Sequence, residues 1–267
     1  MNFEVGKIND NFYRIIMPYV CCYLIIGEER ALLLDTGFGY GDLKTVVESI
    51  TDLPYTVVLT HGHCDHIGGA SQFDEVYLNE KDFKIAQFHQ KVIVRRSVWK
   101  EKGKPSNLVE NKKMWQTESP SPYLLLSEET VFSLGGITVR PFNMPGHSPG
   151  SMVFLVEELK LAVFGDACSH PTVMTLPSST DVETFYHAMK TFKQYESLYD
   201  DVYVNHEDFR IDKIVLDNNI EVAERILNGT DKKIAITVGG MPSLAAREKE
   251  EWLPHNPELI GNILYKK

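Results

Sequence analysis

The sequence predicts an α+β protein of two β-rich halves, two sheets packed face to face with helices outside. Three observations predict it. Short apolar runs of strand length, separated by turn residues, fill residues 3–35 and recur over residues 129–164. Each set of runs is followed by a segment with apolar residues at helical spacing. Each half also sets histidine or aspartate directly behind an apolar run, where a strand would end. The halves share no direct sequence repeat. At 267 residues the chain can bury a large core, as one decorated domain or as two small ones.

The elements follow in order. Phe12–Ile16, Cys22–Ile26 and Ala31–Leu34 read as strands, and Gly27-Glu28-Glu29-Arg30 suits a hairpin turn. Residues 42–50 carry Leu43, Val46, Val47 and Ile50 on one helical face. Thr56–Thr60 is a buried strand, Gly68-Gly69-Ala70 permits a close turn or a tight helix start, and Val76–Leu78 is a short strand. Residues 80–122 break the alternation. Ten lysines and arginines fall between Lys81 and Lys113 against Asp82, Glu101 and Glu110, with Trp99 and Trp115 in the same stretch. This predicts a mostly helical insertion, broken at Gly103-Lys104-Pro105-Ser106. Strands resume at Glu129–Leu134, Ile137–Phe142, Met152–Val156 and Leu161–Phe164. A helix is expected over 181–198, with Val182, Phe185, Met189 and Phe192 as its core stripe, then a strand at Val202–Val204. A helix over 212–228 stops at Asn228-Gly229. Ile234–Val238 and Ile263–Tyr265 are the last strands, with a polar, helix-compatible stretch between them.

Composition narrows the function classes. The net charge of −10 repels nucleic acid and anionic membrane surfaces. The N-terminal residues show no basic segment leading into an apolar one, and no apolar run approaches the length that spans a bilayer. Cys21, Cys22, Cys64 and Cys168 contain no C-x-x-C pair, which argues against a disulfide framework and for a reducing cytoplasm.

The densest chemistry is His61-Gly62-His63-Cys64-Asp65-His66, directly behind the run Val57-Val58-Leu59-Thr60. Imidazole and carboxylate are the ligand set of zinc and similar transition metals. A packing role is a weak rival, because a buried strand end has little use for three imidazoles and a carboxylate that each need a partner. Cys64 reads as a small buried residue. Three further residues occupy equivalent places: His147 in a Gly/Pro-rich loop between strands, Asp166 after Leu161–Phe164, and His206 after Val202–Val204. Alone, each is an ordinary turn or loop residue. Together with the cluster they form one pattern, presented from strand ends. His170, four residues beyond Asp166, is read as a solvated loop histidine with a substrate contact as the alternative. His89, His187 and His255 have no supporting context.

This pattern resembles the metallo-β-lactamase superfamily. The resemblance rests on Asp35 in Leu34-Asp35-Thr36-Gly37, the H-x-H-x-D-H run at 61–66, His147 in Pro145-Gly146-His147-Ser148-Pro149-Gly150, Asp166 in Gly165-Asp166, and His206. It implies an αββα four-layer sandwich: a single domain over residues 1–267, with a helical insertion at about 80–122 and a C-terminal extension at about 230–267. It implies two divalent metal ions, zinc first, with iron or manganese as alternatives. His61, His63 and His147 would hold one, Asp65, His66 and His206 the other, and Asp166 would bridge them. Asp35 would orient a ligating histidine or its loop. The branch is similar to glyoxalase II and the lactonases, because Asp166 stands where the best-known antibiotic-hydrolysing members carry cysteine. His206 departs from the family in lying in Asn205-His206-Glu207-Asp208 and not in a glycine-rich context.

Two divalent ions about 3.5–4 Å apart share one hydroxide, because bound water loses its proton near pH ~7. The expected activity is therefore hydrolysis of an ester, thioester or lactone carbonyl, with Asp65 orienting the nucleophile. The expected substrate is a small, anionic molecule, attracted by the basic insertion if that insertion caps the site. The competing readings are a mononuclear-iron persulfide dioxygenase, a phosphodiester hydrolase on the same residues, and a non-enzymatic metal-bound scaffold. A di-iron site would generally carry glutamate in place of His63.

Overall fold

The computed structural model of the chain describes residues 3–101, 112–118, 122–249 and 260–267. Its contacts gather into two compact units, Met1–Val139 with Asn205–Glu207, and Arg140–Val204 with Asp208–Lys267.

The first unit is built on a seven-stranded sheet whose spatial order follows the sequence. It comprises β1 (Glu4–Asn9), β2 (Phe12–Ile16), β3 (Cys21–Ile26), β4 (Ala31–Leu34), β5 (Tyr55–Val58), β6 (Val76–Leu78) and β7 (Leu124–Leu125). Tight turns join β1 to β4, so these pairs are antiparallel. From β4 to β7 the pairs are parallel, because helical segments carry the chain back across the sheet. The first crossover is α1 (Leu43–Ile50). Asp42 caps it by accepting the Thr45 N–H at 3.0 Å, and Leu43 and Val47 are its buried face. The second crossover contains α2 (Cys64–Ile67), and the third contains α3 (Phe83–His89) and α4 (Val92–Glu101). β8 (Phe132–Ser133) pairs with the first residues of β9 (Thr138–Asn143).

The insertion is helical over α3 and α4, and its expected break at 103–106 lies outside the described residues. Its tryptophans face inward: Trp99 packs edge-on against Phe38 at 5.1 Å between ring centroids, and Trp115 against Tyr40 at 5.4 Å. Arg95 is fully buried. Its guanidinium donates to the carbonyls of Gln90, Phe38, Gly68, Gln116 and Thr117, so all five N–H groups are used. Burial pulls its pKa down to about 10, against the opposing influence of Cys64 and Glu118. Arg95 is thus a clamp on the backbone, and its donors are committed there.

The second unit holds a sheet ordered β14-β13-β11-β10-β9 and a smaller sheet ordered β12-β17-β16-β15. The members are β10 (Met152–Val156), β11 (Leu161–Val163), β12 (Thr172–Met174), β13 (Asp201–Tyr203), β14 (Arg210–Ile211), β15 (Ile234–Val238), β16 (Met241–Ala245) and β17 (Ile263–Lys266). Two helices, α5 (Val182–Phe192) and α6 (Val215–Leu227), bury Phe185, Met189, Phe192, Val215, Val222 and Ala223 into its core. The stretch expected to be helical between the last strands begins instead with β16, which pairs with both β15 and β17. Residues 250–259 lie outside the described residues.

None of the four cysteines is in a disulfide, and all are buried. Among the described residues, no helix is long and apolar enough to cross a membrane. The chemistry-bearing residues follow the carboxyl ends of parallel strands: Asp35 after β4 and His61 beyond β5 in the first unit, and Asp166 beyond β11 in the second.

Candidate metal centre

The first unit's cluster is shaped by the loop behind β5. The Gly62 N–H donates to Asp82 Oδ2 at 2.8 Å. A Cβ at Gly62 would lie 2.9 Å from the Asp82 carbonyl oxygen and 3.2 Å from Ala86 N, so a bare backbone lets α3 pack there. The single turn of α2 begins where the His66 and Ile67 N–H groups reach the His63 carbonyl, at 3.0 and 3.1 Å. That turn folds the run back on itself. The His61 ring lies 4.6 Å from the His63 ring and 4.1 Å from the His66 ring.

His206 joins them. Its Nδ1 is 2.6 Å from the Tyr19 carbonyl oxygen, and its ring is 5.4 Å from that of His66. Asp65 Oδ2 lies 3.5 Å from His206 Nε2, and Asp65 Oδ1 lies 3.9 Å from His66 Nε2. The ligand atoms of Asp65, His66 and His206 fall within 4.8 Å of one another.

Asp35 organises this group from below. It is fully buried and adopts a left-handed φ of +68°, which is uncommon for a residue other than glycine. Oδ1 accepts the Thr60 N–H at 2.7 Å. Oδ2 accepts the Thr60 hydroxyl at 2.9 Å, the His66 ring at 2.8 Å and the Asn205 amide at 3.1 Å. The Thr60 hydroxyl proton is thereby spent on Asp35, so Thr60 Oγ1 accepts from His61 Nδ1 at 3.0 Å. The Asn205 amide also donates to the Cys21 carbonyl at 2.7 Å.

In the second unit, His147 is presented by the loop between β9 and β10. Gly146 permits it, because a Cβ there would meet the Phe185 ring at 2.6 Å. His147 Nδ1 is 2.6 Å from the Val173 carbonyl oxygen, and the His147 carbonyl accepts the Ser179 hydroxyl at 2.8 Å. His147 Nε2 lies 3.6 Å from Asp166 Oδ2. His170 is buried, not solvated as expected, with Nε2 3.5 Å from Asp208 Oδ2.

The tautomers follow from the acceptors. A carbonyl or carboxylate oxygen only accepts, so Nδ1 carries the proton in His66, His147 and His206, and through Thr60 also in His61. In the neutral ring Nε2 is then the lone-pair nitrogen of each. A ring anchored at one nitrogen and basic at the other is the arrangement that metal-ligating histidines use. With carboxylates beside them, these donors fit a divalent transition metal. Two of the thiols are poor competitors: burial raises the Cys22 pKa well above its usual value, with Asp35 adding to the effect, and takes Cys168 to about 12.

Sequence reading named the histidines, Asp65, Asp166 and Asp35. It missed Thr60, Asn205, Asp82 and Ser179, whose types are common at strand ends and turns. It also passed over His89, whose ring lies 4.9 Å from that of His63.

Fold and donor pattern together define a class of protein. The chain belongs to the metallo-β-lactamase superfamily, whose sequence model matches residues 19–198. It is 26% identical over 157 residues to acyl-coenzyme A thioesterase MBLAC2 of Homo sapiens, covering 54% of this chain and 56% of that protein. It is 28% identical over 153 residues to hydroxyacylglutathione hydrolase GloC of Haemophilus influenzae, covering 54% of this chain and 65% of that one. The matched region thus spans between about half and two thirds of the length of these relatives. A metallo-β-lactamase from Pontibacter korlensis shares the fold, with a TM-score of 0.61 and 19% identity over 84% of this chain and 99% of that chain.

Proposed function

We propose that the protein is a metal-dependent hydrolase of acyl esters, with thioesters as its substrate class. The observation that carries this reading is the anchoring of four imidazoles through Nδ1, which turns Nε2 of His61, His66, His147 and His206 into ligand atoms. The family's ligand order allots His61, His63 and His147 to one ion, Asp65, His66 and His206 to a second, and Asp166 to both. Zinc suits the nitrogen-rich set.

When bound, the ions supply Lewis acidity and a water that is deprotonated near pH ~7. The chain's own residues do the rest. Asp65, held against His66 and His206, orients the attacking oxygen. In thioester hydrolysis that oxygen would bond to the acyl carbon as the C–S bond breaks, and sulfur would leave with the electron pair as thiolate. A thiolate is stable enough near neutral pH to depart without a strong general acid, which favours thioesters over amides. The names of the two relatives point to the same linkage. The substrate is a small molecule and not a nucleic acid, in keeping with the net charge of −10. Four buried thiols outside any disulfide suit a reducing cytoplasm.

The test is a purified chain assayed for metal content and for turnover of thioester, ester, lactone and phosphodiester substrates in zinc, manganese and iron forms. Thioester hydrolysis in the zinc form is expected, lost by more than about 100-fold in Asp65→Asn, with the fold retained by circular dichroism. Full activity in that variant, or one iron per chain with oxygen-dependent persulfide turnover, overturns the reading.

A further inference from the structure

Helix α3 approaches the cluster in a fixed register. The Gly62–Asp82 hydrogen bond pins its start, and Ala86 packs over the bare Gly62 backbone. Asp82, Ala86 and His89 are four and three residues apart, so they share one helical face. The first two are buried against the cluster loop, and the third is half-buried beside His63, the rings 4.9 Å apart and tilted by 44°. His89 enters none of the groups of converging ligand atoms, so it borders the cluster without belonging to it. Immediately outward lies Phe88, its ring 5.5 Å from that of His89 and 55% exposed. The Lys91 ammonium sits 5.5 Å over that ring. From the cluster to the surface, the order is therefore ligand imidazole, second imidazole, exposed aromatic ring.

We propose that His89 is a substrate-contacting residue of this centre and that Phe88 receives the acyl chain, making the end of α3 the determinant of acyl selectivity. The inference rests on the thioesterase reading above. A scissile carbonyl beside His63 brings the adjoining polar atoms of the substrate within reach of the His89 imidazole, which can donate or accept one hydrogen bond. The acyl chain then runs along the end of α3, where covering an exposed aromatic ring removes apolar surface from water on both partners.

The test compares zinc-loaded wild type with His89→Ala, His89→Gln and Phe88→Ala on acetyl and dodecanoyl thioesters. Zinc content is measured for each variant, and binding of the non-hydrolysable thioether analogues is followed by calorimetry. Phe88→Ala is expected to shift the dodecanoyl-to-acetyl preference in kcat/KM, and the ratio of analogue affinities, by about tenfold toward acetyl. His89→Ala is expected to lose about tenfold in kcat/KM at wild-type zinc content, and His89→Gln, which keeps a hydrogen-bonding group, to recover part of it. If the wild type hydrolyses thioesters and the variants match it in preference and analogue binding, this proposal fails alone. If His89→Ala loses zinc in step with activity, His89 is a support for His63 and the substrate role is overturned. If the wild type neither turns over nor binds any thioester, the thioesterase reading fails and takes this one with it.

Discussion

His61 and His66 of the first unit are held by different means from His147 of the second, whereas His206 of the first sits, like His147, on a backbone carbonyl. In the first, a buried carboxylate is the hub: Asp35 receives His66 directly and His61 through the Thr60 hydroxyl, and it also takes the Asn205 amide. In the second, the backbone takes that role. His147 is fixed by the Val173 carbonyl at its ring and by Ser179 at its own carbonyl, with Gly146 seated against Phe185. A carboxylate hub couples several side chains electrostatically, so one substitution disturbs them all. A backbone anchor acts on one ring and resists substitution, because no side chain can be removed from a carbonyl. The first unit is therefore the more vulnerable to point mutation, and the second to changes in loop packing.

Asp35→Asn is the sharpest test. Asparagine keeps the volume but removes the charge and replaces one acceptor with a donor facing the Thr60, His66 and Asn205 donors. Zinc affinity is expected to fall by about 10–100-fold, as loss of a carboxylate behind a ligating histidine does. Leaving buried donors unsatisfied should cost a further ~1–3 kcal/mol of folding stability, read by urea denaturation of the metal-free protein. Near-normal zinc binding would mean that the hub does not organise the cluster. Gly146→Ala comes next. The added methyl meets the Phe185 ring and should cost ~1–3 kcal/mol by overpacking. Its zinc affinity should fall less than that of Asp35→Asn, because only one ligand loop moves. A larger fall in affinity for Gly146→Ala than for Asp35→Asn would invert the comparison.

The same contrast explains what could be read without coordinates. Ligand types crowded into residues 61–66 announce themselves, because three imidazoles and a carboxylate have few alternative uses there. Strands with a core face, such as β2, β4 and β10, were legible from their apolar runs. β1 was not, because nearly all its residues are exposed and its strand exists through pairing with β2. β16 hid behind Pro242, which pairs with Thr237 of β15 while β17 pairs only from Ser243 onward, so the missing N–H falls where one side of the strand lacks a neighbour. Asn205 and Thr60 were illegible for another reason. Their importance lies in reaching Asp35 from 170 and 25 residues away, and a single sequence carries no trace of such a contact.

Smaller effects refine the second unit's side of the comparison. Ser179→Ala removes one hydroxyl from the His147 carbonyl but leaves the ring anchored on Val173, so it should cost ~0.5–1.5 kcal/mol of stability. Zinc affinity should change by less than about threefold, well short of what an Asp35 substitution does. A fall as large as that of Asp35→Asn would show that the backbone anchor depends on the hydroxyl.

The smallest effect on zinc affinity is expected at the start of α5, whose Phe185 supports Gly146. Asp181 caps this helix by accepting the Thr184 N–H at 2.7 Å, and that bond holds its carboxyl below the usual carboxylate range. A carboxylate whose pKa is depressed on folding stabilises the fold above its unfolded value, and the stabilisation is lost as pH falls through the folded one. Asp181→Ala should therefore cost ~1 kcal/mol at neutral pH, and the gap from wild type should narrow below about pH 4. Because Asp42 caps α1 of the first unit in the same way, with its carboxyl lowered by Thr45, Asp42→Ala should follow the same pH course. Equal losses at the two caps, beside unequal losses at Asp35 and Ser179, would place the asymmetry in the anchoring of the ligands and not in the general stability of either unit.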